Sequence, residues 1–129
     1  MRKPNVSILI VEDDEDLRLL ISEALLEKGY SVIEAENGKK AIQMLNKVSP
    51  SLILMDLEMP VMSGKELITM LNEDDQLKQE WGKIPLVIYS ASIDSYPELV
   101  PFAKASLHKP LDLEELVSTI ESIISTNSK

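Results

Sequence analysis

The sequence predicts an α/β protein built on a doubly wound parallel sheet. Three observations carry that expectation. Short apolar, β-branched runs alternate with stretches of helical periodicity along nearly the whole chain. The strand-like runs are continuously apolar, as strands buried on both faces must be, and such strands are parallel and joined by right-handed crossovers. No stretch has the composition of a linker and no segment repeats, so the 129 residues form one domain, 1–129, with its core at about 7–124.

Val6-Ser7-Ile8-Leu9-Ile10-Val11 is the first strand. The acidic run Glu12 to Asp16 follows, then Leu17, Leu20, Ile21, Ala24 and Leu25 at helical spacing, with Gly29 where a helix C-terminal cap belongs. Tyr30 to Ala35 is the second strand and Asn37-Gly38 a turn. Ala41, Ile42 and Leu45 mark a helix closed by Ser49-Pro50, and Leu52 to Met55 is a third strand that delivers Asp56. Met59 to Gly64 is a loop opening a helix through Leu67, Ile68 and Leu71. The polar, acidic stretch Asn72 to Lys83 is expected to be less regular, with Trp81 packed on the surface there.

Leu86 to Tyr89 is a fourth strand ending at Ser90. Pro97 and Pro101 would interrupt any helix between Ala91 and Lys104. Ala105 to His108 is a short fifth strand before Lys109-Pro110. The last helix runs from about Asp112 to Ser125, with Leu113, Leu116, Val117, Ile120 and Ile124 on one face, and the tail from Thr126 is expected to fray.

Composition removes several functions. No apolar run approaches the roughly 20 residues that span a bilayer. The six residues from Val6 to Val11 are too few for a signal peptide's apolar region, so a cytoplasmic protein without membrane insertion is expected. The absence of cysteine excludes disulfides and thiolate chemistry, and the single His108 argues against multi-histidine metal sites and a Ser-His-Asp triad. A net charge of −9 without a basic cluster argues against direct nucleic-acid binding.

In an open parallel sheet, ligands sit at the carboxyl ends of the strands, near the point where strand order reverses. Those ends deliver Glu12-Asp13-Asp14, Asp56, Ser90 and His108-Lys109. Carboxylates converging on one edge repel each other unless a cation neutralises them. A hard ion with oxygen ligands, Mg²⁺ with Mn²⁺ as a substitute, suits such a site because it takes few protein ligands and keeps several waters. Glu12 and Asp13 are its candidate holders beside Asp56, with Asp14 left open as a participant. Phosphoryl transfer needs a nucleophile, charge neutralisation and donors for the equatorial oxygens. Asp56 can be the nucleophile, since carboxylates form acyl phosphates. Lys109 and the Ser90 hydroxyl can serve two of the oxygens. By strand alternation, His108 should point away from the side Lys109 uses.

Ile8-Leu9-Ile10-Val11-Glu12-Asp13-Asp14, Leu54-Met55-Asp56 through Met59-Pro60-Val61-Met62-Ser63-Gly64, Tyr89-Ser90-Ala91 and His108-Lys109-Pro110 closely resemble the receiver domain of two-component response regulators, the chemotaxis-regulator type included. The resemblance covers roughly Ser7 to Ile124. It implies a flavodoxin-like sheet of order 2-1-3-4-5 and phosphotransfer from a histidine kinase or histidine phosphotransfer protein, changing contacts with a downstream protein that the sequence does not identify. It implies Asp56 as phosphoacceptor, Glu12 and Asp13 as the acidic pair, Ser90 as the conformational hydroxyl and Lys109 as the phosphate-pairing cation. The main-chain carbonyl of Glu58 would complete the metal site, and Lys109-Pro110 matches the family's cis peptide. A signalling domain is implied rather than an enzyme, with slow self-phosphorylation and self-hydrolysis. Two rivals are less well served. An aspartyl phosphatase wants a second aspartate where Glu58 stands, and a flavin module wants a phosphate loop where this chain puts carboxylates. A degenerate receiver that only binds proteins would not need Glu12, Asp13, Asp56, Ser90 and Lys109 together.

Three departures bear on output. The segment from Asp56 to Ser90 is long, that from Ser90 to Lys109 is short, suggesting a shortened or irregular fourth helix, and Ser106 stands where receivers usually carry a Tyr or Phe rotamer switch. A serine cannot fill and vacate an aromatic-sized pocket. The expectation is therefore signalling through another surface, or service as a phosphate relay or sink. Amide chemical shifts with and without beryllofluoride test this: large changes confined to residues 91–109 would contradict it.

Overall fold

Strands β1 (Ser7–Val11), β2 (Ser31–Ala35), β3 (Leu52–Asp56), β4 (Leu86–Ser90) and β5 (Ala105–His108) lie parallel in one sheet of order β2-β1-β3-β4-β5, as expected. The computed structural model describes residues 6–59 and 62–127, so the expectations that fall on residues 1–5, Pro60, Val61, 128 and 129 lie outside it.

The continuous apolar runs divide by parity. Leu9, Val11, Ile53, Met55, Leu86 and Ile88 face one side, where α2 (Gly38–Leu45) and α3 (Gly64–Glu73) supply Ala41, Leu45, Leu67, Ile68 and Leu71. Ile8, Ile10, Leu52, Leu54, Val87 and Tyr89 face the other, against Ile21 and Leu25 of α1 (Glu15–Glu27) and Leu116 and Ile120 of α5 (Leu113–Asn127). Two separate cores thus flank one sheet, and every residue of β3 and β4 is buried. Fully burying one such aliphatic side chain is worth about 1.5–3 kcal/mol, so the polar residues at the strand ends are carried by these layers.

Local signals explain most boundaries. Asp14 accepts from the N–H groups of Asp16 and Leu17 and starts α1. Gly29 ends it with φ 95°, its N–H bonding to the Leu26 carbonyl at 3.0 Å while Tyr30 bonds to Leu25 at 3.2 Å. Ser63 and Glu66 form a capping box at the start of α3.

The structure corrects the sequence reading in four places. Asn37-Gly38 opens α2 directly, with the Asn37 side chain accepting from Lys40 N–H at 2.8 Å. Most of the stretch Asn72 to Lys83 is helical rather than irregular: α4 (Asp75–Trp81) follows α3 after Asp74 alone, and Gly82-Lys83 turns out of it. The Asp74 N–H closes α3 on the Met70 carbonyl, and its carboxylate caps α4 through Leu77 N–H at 3.0 Å. Trp81 is half-buried against the α2–α3 core, and its buried indole N–H has no partner among the described residues. The last helix continues past Ser125 to Asn127. Between β4 and β5 the expected irregularity is present: two single 3₁₀ turns, Ile93–Ser95 and Val100–Phe102, stand where an α-helix would otherwise cross.

Gly64 sits against the end of β3. A Cβ there would lie 2.6 Å from the Asp56 carbonyl oxygen and 2.7 Å from the Leu57 Cα, both main-chain atoms that cannot swing aside. Gly64→Ala is therefore expected to cost about 1–3 kcal/mol in urea unfolding. An unchanged midpoint would show that this packing is looser than the distances indicate.

Candidate functional site

Strand order reverses between β1 and β3, and the crevice beyond their carboxyl ends is where the strand-end residues meet. Glu12 follows β1 and is fully buried; Asp13 beside it is exposed; Asp56 ends β3 with 1% of its surface exposed. One carboxylate oxygen from each of Glu12, Asp13 and Asp56 lies within 4.8 Å of the others. These three are the only such group of potential ligands among the described residues. Asp14, left open by the sequence, is committed to the α1 cap.

Asp56 is held by two donors. Its Oδ1 accepts from the Glu58 N–H at 2.9 Å, and its Oδ2 pairs with Lys109 Nζ at 2.7 Å. A buried carboxylate without such partners would be forced toward its neutral form. Lys109 follows β5, its N–H bonds to the Ser90 carbonyl, and its peptide bond to Pro110 is cis. Burial of the ammonium by itself would lower its pKa. The hydrogen bond and charge of Asp56, with Glu12 and Glu58 behind, outweigh burial and raise it.

Glu12 is the most deeply buried acid of the cluster. Burial is the largest influence and pushes its carboxyl up to about 7 from an ordinary value of 4.5; the nearby Asp56 adds to the rise, while hydrogen bonds from Tyr89 and Asp14 and the charge of Lys109 oppose it. The Tyr89 hydroxyl donates to Oε1 at 2.6 Å, and the Asp14 N–H donates to Oε2 at 3.0 Å. Burial, followed by the charge of Glu12, raises the Tyr89 phenol well above its usual range, so it stays a donor.

Three groups with no role assigned from sequence hold the site. Tyr89 is one; only its partner across 77 residues reveals it. Arg18 is another: it donates to the Glu12 main-chain carbonyl at 2.7 Å and pairs with Glu34 at 3.0 Å, pinning the turn after β1 to β2. The Glu58 side chain is the third. Sequence pointed to its main-chain carbonyl, but its Oε1 accepts from the Ser90 hydroxyl at 2.8 Å and the Ala91 N–H at 3.3 Å. Ser90 Oγ in turn accepts from Ser92 N–H at 2.9 Å. His108 is exposed, and Ser106 is half-buried opposite Ile88 on β4.

When ionised, three carboxylates face one ammonium, leaving two negative charges uncompensated in a partly buried crevice. An all-oxygen donor set of this charge and spacing fits a hard divalent cation.

The family model described as the response regulator receiver domain matches residues 8–121. The polar-differentiation response regulator DivK of Brucella anthropi is 31% identical over 92% of this chain and 95% of its own length. The probable transcriptional regulator ycf29 of Porphyra purpurea is 34% identical over 95% of this chain but only 58% of its own. Two histidine kinases are also relatives, and the chain spans 9% and 12% of their lengths. Among solved structures, the signal receiver domain of a signal transduction histidine kinase from Syntrophus aciditrophicus superposes with a TM-score of 0.81 at 28% identity, covering 96% of this chain and 93% of that one.

The raised Glu12 pKa has a consequence for stability. Between about 4.5 and 7 the folded metal-free protein keeps a proton that the unfolded chain releases, so this group's contribution falls as pH rises through that window. Lowering pH from 8 to 5.5 in chelator is expected to raise the urea midpoint of the wild type and to do so less in Glu12→Gln. Equal responses in the two proteins would place the effect elsewhere.

Proposed function

The chain belongs to the response regulator receiver domain family, a family of signalling domains rather than classical enzymes, and from that premise we propose that it accepts a phosphoryl group on Asp56. The observation that carries this reading is a nearly fully buried carboxylate, anchored by a main-chain N–H and a lysine, at the mouth of an acidic crevice.

In the proposed reaction an Asp56 oxygen attacks the phosphorus of a phosphohistidine. A P–O bond forms as the P–N bond breaks, and the leaving imidazole takes up a proton. Donor candidates are a histidine kinase or a histidine phosphotransfer protein. The Glu58 N–H keeps the carboxylate from turning, and Lys109 can follow charge from Asp56 onto a phosphoryl oxygen. Ser90 spends its single hydroxyl proton on Glu58 in this state, so donating to a phosphoryl oxygen means exchanging that acceptor. Glu12, Asp13, Asp56 and the main-chain carbonyl of Glu58 would hold Mg²⁺, or Mn²⁺ in its place. When bound, the ion supplies positive charge to the phosphoryl oxygens and relieves the repulsion among the acids. Slow phosphorylation by small phosphodonors and slow self-hydrolysis follow from the same groups.

Output is proposed to be a change in contacts with a downstream protein. Ser106 on β5 stands where the family usually carries an aromatic rotamer switch, and only 3₁₀ turns lie between β4 and β5. That favours a relay or phosphate sink, or signalling through another surface, over the family's usual readout.

Incubation with acetyl phosphate and Mg²⁺, followed by intact mass measurement, is the direct test. The wild type should gain one phosphoryl group, and Asp56→Ala or added chelator should abolish the gain. Labelling that persists in Asp56→Ala would refute the assignment.

A further inference from the structure

We propose that Tyr89 is a positioning residue: its phenol holds the Glu12 carboxylate in the orientation from which it serves the acidic cluster, and so sets the affinity of that cluster for a divalent cation. This rests on the reading of Glu12, Asp13 and Asp56 as a cation site.

The geometry is specific to the hydroxyl. Tyr89 is fully buried and belongs to the core between the sheet and helices α1 and α5, where a phenylalanine would fill the same space. Its O–H gives a 2.6 Å hydrogen bond to Glu12 Oε1, while Asp14 N–H takes Oε2 at 3.0 Å. A carboxylate held through one oxygen can still rotate about its terminal bond. Held through both, from β4 on one side and the β1–α1 turn on the other, it cannot. Each oxygen keeps a free lone-pair direction, so the clamp orients Glu12 without exhausting it.

The same ring is central to the rest of the cluster. Lys109 Nζ lies 5.6 Å from its centroid, on the attractive face of the ring. In the sheet, Tyr89 is the register partner of Asp56, and its carbonyl accepts from Leu57 N–H at 3.0 Å. One side chain therefore touches the buried acid and the cation, and its backbone touches the strand that ends in Asp56. A buried phenol needs an acceptor somewhere. Here it takes the one carboxylate in the cluster that is wholly cut off from water, whose orientation nothing in solvent could restore.

Calorimetric titration with Mg²⁺ of wild type, Tyr89→Phe, Glu12→Gln and the double variant tests the proposal. Tyr89→Phe, which keeps the ring, should weaken Mg²⁺ binding roughly 10-fold, the low end for removing a group that orients a metal ligand. In the Glu12→Gln background the same change should have almost no further effect, because Tyr89 acts through Glu12. Unchanged affinity in Tyr89→Phe, or additive losses in the double variant, would overturn it. If the wild type binds Mg²⁺ and is labelled on Asp56 while Tyr89→Phe binds equally well, only this inference falls. If the wild type does not bind Mg²⁺, the cation reading and this inference fall together. Should Tyr89→Phe not fold, the Tyr89 ring resonances of the wild type decide: a shift with the same Mg²⁺ midpoint as Glu12 supports the clamp, and resonances that stay still refute it.

Discussion

The 2.7 Å contact between Lys109 and Asp56 is the interaction on which the rest of the crevice depends. A carboxylate buried at the end of a strand is costly unless a positive partner and a hydrogen-bond donor share its charge. Lys109 comes from the loop after β5, the Glu58 N–H from the loop after β3, and Glu12 and Asp13 from the end of β1, the strand on the other side of β3 from β4. The fold's contribution is positional. Five short strands, buried on both faces where they matter, set the heights at which their ends stop, and each end carries one part of the apparatus.

Against that single cation stand three acids, and the imbalance shapes everything nearby. Glu12 answers it by favouring its proton up to about pH 7, with burial as the chief cause. Three acids beside one ammonium make the crevice attractive to further positive charge. Its supports come from all around: Tyr89 from β4, Arg18 from α1 and the Asp14 N–H from the turn between. The Ser90 hydroxyl, meanwhile, is turned to Glu58, the residue two beyond the acceptor. Acid, hydroxyl and lysine are therefore already linked to one another before any phosphoryl group arrives.

Much of this was legible in the residues. Short apolar runs placed all five strands to within a residue or two, most plainly β3 and β4, which are buried along their whole length and leave no polar alternative. Meeting at one edge follows from parallel topology, so Glu12, Asp13, Asp56, Ser90 and Lys109 could be grouped before any distance was known. What could not be read was directional. Tyr89 looked like one more apolar strand residue because its hydroxyl partner lies 77 positions away. The Glu58 side chain was overlooked because the expected contact was through its main chain. α4 was missed because its cap, Asp74, also terminates the preceding helix, and a polar stretch with one shared punctuation mark reads as a loop.

The two cores described for the sheet have a consequence at β4. Consecutive residues of a strand face opposite ways, so Tyr89 belongs to the flank of α1 and α5, and Ser90 to the flank of α3 and the 3₁₀ turns. Glu12 is clamped from the first flank and Glu58 is engaged from the second. One short strand thus presents, on opposite faces of the sheet, the two hydroxyls that engage the two acids, and the layers packed on each face hold a different one in place.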